Sequence, residues 1–484
     1  FELANIRDQC SWVHMTLPAE ATDKAKDLVR MAVSRAVQNR PLHGQPLPVT
    51  HSALVIGGGI TGLAAALNMA GQGYEVALVE REAVLGGNAR HIHATLRTRD
   101  VGRILNEMIA RAEADARIKV YKNAVVQGIE GFVGNFQSVI RQGANGQGPT
   151  EITFKHGVVI VATGAEERRT SQYLYGQDPR VVTQRELEEA LAEGALALPQ
   201  GGTVVMIQCV ESRTDEHPYC SRVCCSQALK NAIAIKERDP EANVVVLYRD
   251  VRSYGLRERY YQQARDAGVI FVRYDLEADE NGRGGLPVVE RQDGRLVVRA
   301  FDPIVGEEVT FAADALALSV GIGPREDAVD LATMLKVPLN AERFFLEAHM
   351  KLRPVEFATE GVFLAGMAHG PKFVEESIAQ ANAAVSRACT VLSKAELISS
   401  GAVAHVDQVA CVACGDCVAI CPFKAIDMVN KEVTRRNFKD CAEVNPALCK
   451  GCGTCAAACR SGCITLDGFD DMQIMAQISA LVSD

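Results

Sequence analysis

Two cysteine runs near the carboxyl end have a spacing that suits iron–sulfur ligation. The first run reads C-x2-C-x2-C-x3-C-P from Cys411, and the second repeats this spacing from Cys449, with Arg460 in place of the proline. Thiolates at this spacing bind two 4Fe–4S clusters, and the fourth cysteine of each run ligates the other cluster. Zinc ribbons need only two C-x2-C pairs, so zinc is the weaker interpretation. The predicted ligands are Cys411, Cys414, Cys417 and Cys459 for one cluster, and Cys421, Cys449, Cys452 and Cys455 for the other.

A third group of cysteines lies in the middle of the chain with the spacing C-x10-C-x3-C-C. Four thiolates so close together suit zinc or an iron–sulfur cluster, and the redox context of the two other clusters favours a cluster. Inert small hydrophobes are the alternative interpretation. The members of this group are Cys209, Cys220, Cys224 and Cys225.

Four of the 16 cysteines remain outside these groups. Cys389, Cys441 and Cys463 are most simply structural, because none of them belongs to a ligand spacing. Cys10 has two open interpretations. It either ligates a cluster completed by residues outside this sequence or by another chain, or it packs as a structural thiol.

A glycine motif points to nucleotide binding. Gly57-x-Gly59-x-x-Gly62 follows the short apolar run 53–56 and opens a helical pattern, and Glu80 ends the next apolar run. Such glycines allow a tight turn, close approach of the backbone to a pyrophosphate and close packing of helix on strand, while the acidic residue accepts ribose hydroxyls. A glycine turn that only packs is the alternative. The strand–turn–helix context with Glu80 favours dinucleotide binding.

A second nucleotide site is not expected. The segment GGTVVMIQCVES (201–212) reads as a strand, but Gln208, Cys209 and Val210 stand where a second glycine motif would begin. Without glycines the backbone cannot approach a pyrophosphate closely. The part of the chain before the C-terminal runs also lacks a C-x-x-C dithiol. We therefore predict no nicotinamide binding at this strand and no ordinary disulfide-reductase chemistry.

Composition and patterning describe a globular α/β chain. Its 484 residues are 48% hydrophobic and 23% charged, which suggests two to four domains. A net charge of -9 argues against nucleic-acid binding. The longest apolar runs are too short for a membrane span, and the start does not read as a signal peptide. A helix is predicted from about Ala19 to Arg40, and continuous apolar runs predict parallel strands at 157–164, 201–210, 242–250, 314–323 and 360–367.

Three segments after Glu80 add a resemblance. LGGNAR (85–90), ATG (162–164) and GVFLAG (361–366) resemble the thioredoxin-reductase-like flavoproteins that have two dinucleotide-binding domains. The resemblance implies FAD at the first domain. In that group the last segment continues with Asp, whereas here Met367 follows, so the resemblance does not extend to that carboxylate contact. The candidate cofactor-binding residues are Gly57, Gly59, Gly62, Glu80, Arg81, Gly87, Asn88, Ala162, Thr163, Gly164, Gly366, Met367, Ser377 and Gln380.

A more specific resemblance covers essentially the whole chain. The segments NIRDQCSWVH, CVESRTDEHPYCSRVCCSQALK and MAHGPKFVEESIAQANAA resemble the A-type subunit of heterodisulfide reductase. That family implies a 4Fe–4S cluster on the middle four cysteines close to the flavin, which makes three clusters in this chain and a fourth if Cys10 is a ligand. It also implies that Lys230 lies by N5 of the isoalloxazine. By the same resemblance, FAD accepts electron pairs and splits them between ferredoxin and a second acceptor.

The resemblance also predicts domains, partners and location. The fold class is α/β: a thioredoxin-reductase-like flavoprotein with a C-terminal α+β two-cluster ferredoxin domain. The implied partners are B- and C-type subunits, an electron-input subunit such as a hydrogenase or formate dehydrogenase, and ferredoxin, in a cytoplasmic complex within which the chain dimerises. The expected domains are 1–50, a remnant of a cluster domain; 51–200 and 321–396, the FAD-binding domain; 201–320, a degenerate nucleotide-binding domain with the Cys-rich site; and 397–484, the ferredoxin domain.

Two other functions remain open at the level of sequence. The chain could be an NAD(P)H-dependent iron–sulfur flavin oxidoreductase, which direct reduction by NAD(P)H would reveal. It could instead be a non-bifurcating electron-relay scaffold, which would pass electrons singly.

Overall fold

The computed structural model describes residues 1–143, 149–278, 280, 283–434 and 437–482. No helix in these ranges is both long and apolar enough to cross a membrane. The α-helices are α1 (Pro18–Gln38), α2 (Ile60–Gly71), α3 (Val101–Ala114), α4 (Gln184–Glu193), α5 (Cys224–Arg238), α6 (Glu258–Asp266), α7 (Ala328–Leu335), α8 (Val374–Leu392), α9 (Asp416–Ile420), α10 (Thr454–Ala458) and α11 (Asp471–Val482).

The strands begin and end as follows: β1 (Pro46–Pro48), β2 (Ser52–Ile56), β3 (Glu75–Val79), β4 (Ile118–Tyr121), β5 (Ala124–Phe132), β6 (Asn135–Gln142), β7 (Thr150–His156), β8 (Val158–Val161), β9 (Glu166–Glu167), β10 (Val181–Thr183), β11 (Thr203–Val210), β12 (Asn243–Tyr248), β13 (Ile270–Arg273), β14 (Val288–Gln292), β15 (Arg295–Asp302), β16 (Glu307–Ala313), β17 (Ala315–Val320), β18 (Ile322–Gly323), β19 (Val362–Leu364), β20 (Glu396–Ile398), β21 (Ala404–Val406), β22 (Ile426–Thr434), β23 (Asn437–Val444) and β24 (Ile464–Leu466).

The chain forms two compact units. Residues Thr50–Ser393 make the large unit, and Phe1–Val49 together with the residues from Lys394 onward make the small unit. From the sequence, residues 1–50 are expected to form a segment of their own. In the structure, Phe1–Val49 belong to the same unit as the C-terminal cysteine runs.

The first parallel sheet of the large unit has the strand order β19-β8-β2-β3-β4. Every residue of β2 and β8 is buried, as continuous apolar runs predict for strands covered on both faces. One face packs against α2 and α8, and the other packs against α7 and an antiparallel sheet, β5-β6-β7. The predicted strands at 157–164 and 360–367 are thereby confirmed.

The second parallel sheet has the order β10-β17-β11-β12-β13 and confirms the other three predicted strands. Helices α4 and α5 cover one face, and a second antiparallel sheet, β14-β15-β16, covers the other. Neither antiparallel sheet was predicted from the sequence. Their strands are only half-buried and alternate between exposed and buried positions, a weaker signal than a continuous apolar run.

The small unit contains three antiparallel pairs, β1–β20, β21–β24 and β22–β23, and two short helices, α9 and α10, one within each C-terminal cysteine run. Its core is made largely of cysteine, isoleucine and alanine side chains. The predicted N-terminal helix is present as α1, with Pro18 at its first position, where proline is well tolerated. It packs on α11, and the Gln473 side-chain amide donates to the Gln38 carbonyl at 3.4 Å.

Candidate functional site

The turn between β2 and α2 shows why two of its glycines are required by the protein itself. Gly57 has a φ of +108°, and a Cβ there would lie 2.4 Å from the Ala162 carbonyl oxygen. A Cβ on Gly62 would lie 1.8 Å from the Gly57 carbonyl oxygen. These two positions therefore need glycine because helix, turn and strand pack closely.

Gly59 has no such reason to be glycine. Its φ is -71°, and among the described residues the nearest atom to a Cβ there would be the Gly86 carbonyl oxygen, 3.9 Å away. The free space belongs to a cavity of about 930 Å³ that opens at the N-terminus of α2. A backbone kept bare beside a helix N-terminus fits close approach of a pyrophosphate.

Glu80 is buried at the edge of the same cavity. Its carboxylate accepts hydrogen bonds from the backbone N–H of Gly58 at 2.6 Å and from that of Glu82 at 2.9 Å. A carboxylate oxygen has two lone pairs, so each oxygen retains capacity for a ribose hydroxyl. The turn and this carboxylate together fit the dinucleotide part of FAD.

Most of the predicted cofactor-binding residues line this cavity. Asn88 is held there by its side-chain N–H₂, which donates to the Ala165 carbonyl at 2.7 Å. Arg81 is held by ion pairs to Asp327 and Glu166. The predicted residues that line the cavity are Gly57, Gly59, Glu80, Arg81, Gly87, Asn88, Ala162, Thr163, Gly164, Met367, Ser377 and Lys230.

Gly62, Gly366 and Gln380 lie behind the cavity wall. Gly366 has a φ of +72° and donates its N–H to the Gln380 side-chain oxygen at 2.9 Å. The Gln380 amide nitrogen also lies 2.8 Å from Nδ1 of His369, whose Nε2 lies 2.8 Å from Glu347. Gln380 thus holds the turn that presents Met367 to the cavity.

Lys230 reaches the cavity from α5. Its Nζ donates to the Ala94 carbonyl at 3.1 Å and forms an ion pair with Glu188. Burial lowers the pKa of Lys230, and the Glu188 carboxylate partly opposes that shift. Glu188 is itself held by the backbone N–H of His93 at 2.8 Å. A positive charge is thereby fixed in the wall of the cavity.

Lys372 is a cavity residue that was not predicted from the sequence. It lines the cavity and donates to the Gly370 carbonyl at 3.1 Å. Burial lowers the pKa of Lys372 to about 8, and the positive charge of Arg222 adds to the shift. The sequence feature that could have identified Lys372 is the family-like segment MAHGPKFVEES, which contains it. A single lysine in a glycine–proline turn does not by itself indicate burial.

The middle four cysteines surround the end of β11 and the start of α5. Cys209 has a φ of +60° beside an irregularity in the β11–β17 pairing, and Cys224 and Cys225 form the first turn of α5. Burial raises the pKa of the Cys224 thiol, and repulsion by Cys225, Cys209 and Cys220 raises it further. The four thiols are therefore close enough to interact, and binding of a metal centre would deprotonate them.

These four thiols are not gathered tightly around a single point. Within the described residues, no group of three or more Cys, His, Asp or Glu side chains could hold a single metal ion. A four-iron cluster binds its thiolates at separate corners and spaces them more widely than a single ion does. The assignment of these four cysteines to a 4Fe–4S cluster stays a prediction from the sequence.

Arg222 fixes the cysteine loop to the cavity wall. Its backbone N–H lies 3.3 Å from the Cys220 sulfur, and its guanidinium donates to Glu376 at 2.8 Å and to the Tyr254 hydroxyl at 3.0 Å. Glu376 lies in the first turn of α8 and accepts the N–H of Phe373, a cavity residue, at 3.0 Å.

The C-terminal runs bring four of their cysteines to one small cavity. Cys421 lines one small cavity together with Cys449, Cys452 and Cys455, although it belongs to the other run. Of the other set, Cys411 and Cys417 are buried and Cys414 is exposed. Burial raises the pKa of the Cys417 thiol, and repulsion by Cys411 and Cys414 raises it further.

Comparison with known proteins gives the family. A family model described as pyridine nucleotide-disulphide oxidoreductase matches residues 51–206, and a 4Fe-4S dicluster domain matches residues 410–468. The first of two CoB--CoM heterodisulfide reductase iron-sulfur A-type subunits of Methanopyrus kandleri is 34% identical, with 100% of this chain and 84% of that protein covered. The chain belongs to the heterodisulfide reductase A-type family.

Two other members of this A-type family show a similar extent of similarity. The second A-type protein of Methanopyrus kandleri is 36% identical over 89% of this chain and 78% of that protein. The A-type component of the H(2):CoB-CoM heterodisulfide,ferredoxin reductase of Methanothermobacter marburgensis is 33% identical over 100% of this chain and 84% of that protein. The predicted α/β flavoprotein fold with a C-terminal two-cluster ferredoxin domain is confirmed.

As a member of the heterodisulfide reductase A-type family, the chain is an oxidoreductase. Its matches imply FAD in the large unit and 4Fe–4S clusters on the C-terminal cysteine runs. Cys10 lies in a short π-helix, Arg7–Ser11, and is 1% exposed. Its cluster-ligand and structural interpretations both stay open.

Proposed function

We propose that this chain is the FAD and iron–sulfur subunit of a heterodisulfide-reductase-like complex that splits electron pairs. Pairs would enter at the flavin, and single electrons would leave through 4Fe–4S clusters to ferredoxin and to a second acceptor. The name of the Methanothermobacter marburgensis relative, which includes both a heterodisulfide and ferredoxin, supports this pairing of acceptors.

The observation that carries the proposal is the double use of α5. Its first turn holds Cys224 and Cys225, and the helix also lines the large cavity through Ser226, Gln227 and Lys230. One helix therefore serves a cluster site and the flavin site. This arrangement favours electron transfer between the two, because a rigid element holds both at a constant separation.

The residues of the chain would prepare the site for this chemistry. A bound flavin exchanges electrons in pairs or singly, whereas a 4Fe–4S cluster carries one at a time. Lys230 places positive charge in the cavity wall, and Glu188 with the Ala94 carbonyl holds it there. Lys372, whose pKa is lowered to about 8, can hold or release a proton near neutral pH.

Partner subunits would supply the terminal chemistry. We propose B- and C-type heterodisulfide reductase subunits, an electron-input subunit such as a hydrogenase or formate dehydrogenase, and ferredoxin. The three cluster sites proposed in this chain are electron-transfer sites, so a disulfide substrate would be reduced on a partner.

Cofactor content tests the assignment of sites. We expect natively purified protein to contain one FAD and about twelve iron atoms per chain, from three four-iron clusters. Cys224→Ser should lower the iron to about eight, whereas the control Cys389→Ser, on α8, should leave it at about twelve. A native content of about eight would remove the cluster from the middle cysteines.

Coupled reduction tests the proposed splitting of electrons. The purified assembly is supplied with H2 or formate, oxidised ferredoxin and the CoB–CoM heterodisulfide as the probe acceptor. We expect ferredoxin reduction to stop when the heterodisulfide is omitted. Ferredoxin reduction at an unchanged rate without it would instead support a simple electron relay.

A further inference from the structure

The two C-terminal cysteine runs form an internal repeat with one informative difference. The first run ends CPFKAI (421–426), and the second ends CRSGCI (459–464). Cys459 is the counterpart of Cys421, and Cys463 is the counterpart of Ala425. Both counterparts are buried, Ala425 at 2% exposed and Cys463 at 6%. A thiol thus replaces a methyl group at the same place in the core.

That thiol touches a proposed cluster ligand. The Cys463 sulfur lies 3.5 Å from the Cys459 sulfur, within hydrogen-bond range for sulfur, and the Ser461 hydroxyl lies 3.6 Å from the Cys459 sulfur. At the matching place in the first run, the Cys421 sulfur lies 3.3 Å from the backbone N–H of Ala425. The Ala425 side chain has no group to donate.

We infer that Cys463 is a tuning residue, whose S–H donates to the Cys459 thiolate and raises the reduction potential of the cluster that Cys459 ligates. The inference rests on the proposed assignment of that cluster to Cys411, Cys414, Cys417 and Cys459. Reduction adds negative charge to the cluster and its sulfurs, and hydrogen bonds to those sulfurs stabilise the reduced form. The S–H group is a weak donor, but burial removes competing water.

Other polar groups near the clusters occupy matching places in the repeat. Asp416, next but one to Cys414, pairs with Arg460 at 2.6 Å, and its counterpart Thr454 lies 3.4 Å from the Cys452 sulfur. These contacts also affect the reduction potentials of the two C-terminal clusters. The effect of Cys463 is therefore measured as a shift within one cluster between variants, and the two clusters are not compared with each other.

The test is a potentiometric titration of the full holoprotein, followed by electron paramagnetic resonance. Cys463→Ala installs the residue that the other run already has, and we expect the midpoint of one cluster to become more negative while the others stay unchanged. Cys463→Ser keeps a hydrogen-bond donor, so the midpoint potential of that cluster should lie closer to the native value than it does in Cys463→Ala. Ala425→Cys, the reciprocal change, should move the midpoint of a different cluster to more positive potential.

Iron content separates the possible failures. A loss of about four irons in Cys463→Ala would make Cys463 a ligand and overturn the inference. A full complement of iron with an unshifted midpoint would also overturn it, while leaving the proposed ligands and electron splitting intact. Cys441→Ala, which removes another buried thiol of the small unit, controls for a general packing effect. An equal shift in this control would contradict a specific role for Cys463.

Discussion

Gly59 is the glycine of the β2–α2 turn that the fold itself does not require. Gly57 and Gly62 are required by contacts within the protein, whereas the Cβ position of Gly59 opens into the cavity. An alanine there would cost the fold little. It would occupy space that a pyrophosphate needs.

We therefore expect Gly59→Ala to weaken FAD binding at least about tenfold with an unchanged unfolding midpoint, because a lost phosphate contact costs about 1.4 kcal/mol or more. FAD content and titration of the apoprotein measure this. Gly71→Ala is the matched control on α2, since its Cβ would meet no described atom within 4 Å. Normal FAD affinity in Gly59→Ala would contradict a pyrophosphate at this turn.

His156 is a buried residue whose charge state affects stability. Its ring stacks between Phe136 and Phe154, its Nδ1 donates to the Val158 carbonyl at 3.0 Å, and its Nε2 accepts from the Ser138 hydroxyl at 2.7 Å. Burial lowers the pKa of His156 from 6.5 to about 4. The folded protein thus keeps this ring neutral at a pH where the unfolded chain is already protonated.

The stability that this neutral ring provides is present above pH 6.5 and is lost as the pH falls toward 4. The loss reaches about 3 kcal/mol, at about 1.4 kcal/mol per pH unit. Urea unfolding between pH 7.5 and 5 should show a flatter pH profile for His156→Gln than for the native chain. His43→Gln, an exposed control, should keep the native profile. Parallel profiles for native and His156→Gln chains would refute this explanation.

At the scale of elements, α5 connects the two proposed redox sites of the large unit. Its N-terminal turn carries two of the four middle cysteines, and Lys230 lies farther along the same helix. In the first domain the glycine turn leads directly into α2. Here residues 211–223 separate β11 from α5, and cysteines occupy the loop and the first turn of the helix.

We expect Lys230→Met to retain FAD and to lower the flavin midpoint potential, because loss of the positive charge leaves Glu188 unneutralised beside the cavity. Lys230→Arg should preserve most of the native potential. Lys236→Met is the control on α5, since its Nζ binds the carbonyls of Pro240 and Ala242. The measurement is a potentiometric titration followed by flavin absorbance. Equal shifts in both methionine variants would rule out a specific effect of Lys230.

At the scale of the whole molecule, the second parallel sheet keeps the architecture of a nucleotide-binding domain without its phosphate turn. Cys209, Glu211 and Arg213 all have positive φ values although none is glycine. Each of these residues carries a Cβ, whereas close approach of the backbone to a pyrophosphate at such a turn requires glycine. The large unit therefore has one turn suited to a dinucleotide and one suited to thiol ligation.

The isolated chain should not accept hydride from NADH or NADPH. Mixing either with the oxidised, FAD-loaded chain should leave the flavin absorbance unchanged, whereas dithionite, the positive control, should bleach it fully. Rapid stoichiometric bleaching by a nicotinamide would instead favour the NAD(P)H-dependent oxidoreductase.

The sequence alone predicted features that depend on short stretches of chain. Cysteine spacing, the turn at Gly57, Gly59 and Gly62, and apolar runs such as 157–164 involve residues within one or two elements. Local geometry and burial therefore suffice to interpret them. The half-buried antiparallel sheets carried a weaker local signal and were missed.

Only the tertiary structure decided which distant residues meet. Folding brings Lys372 into the cavity and turns Gln380 away from it. It also pairs Lys230 of α5 with Glu188 of α4. The physical reason is that burial, pKa and hydrogen bonding depend on neighbours supplied by other elements, and a single sequence does not specify those neighbours.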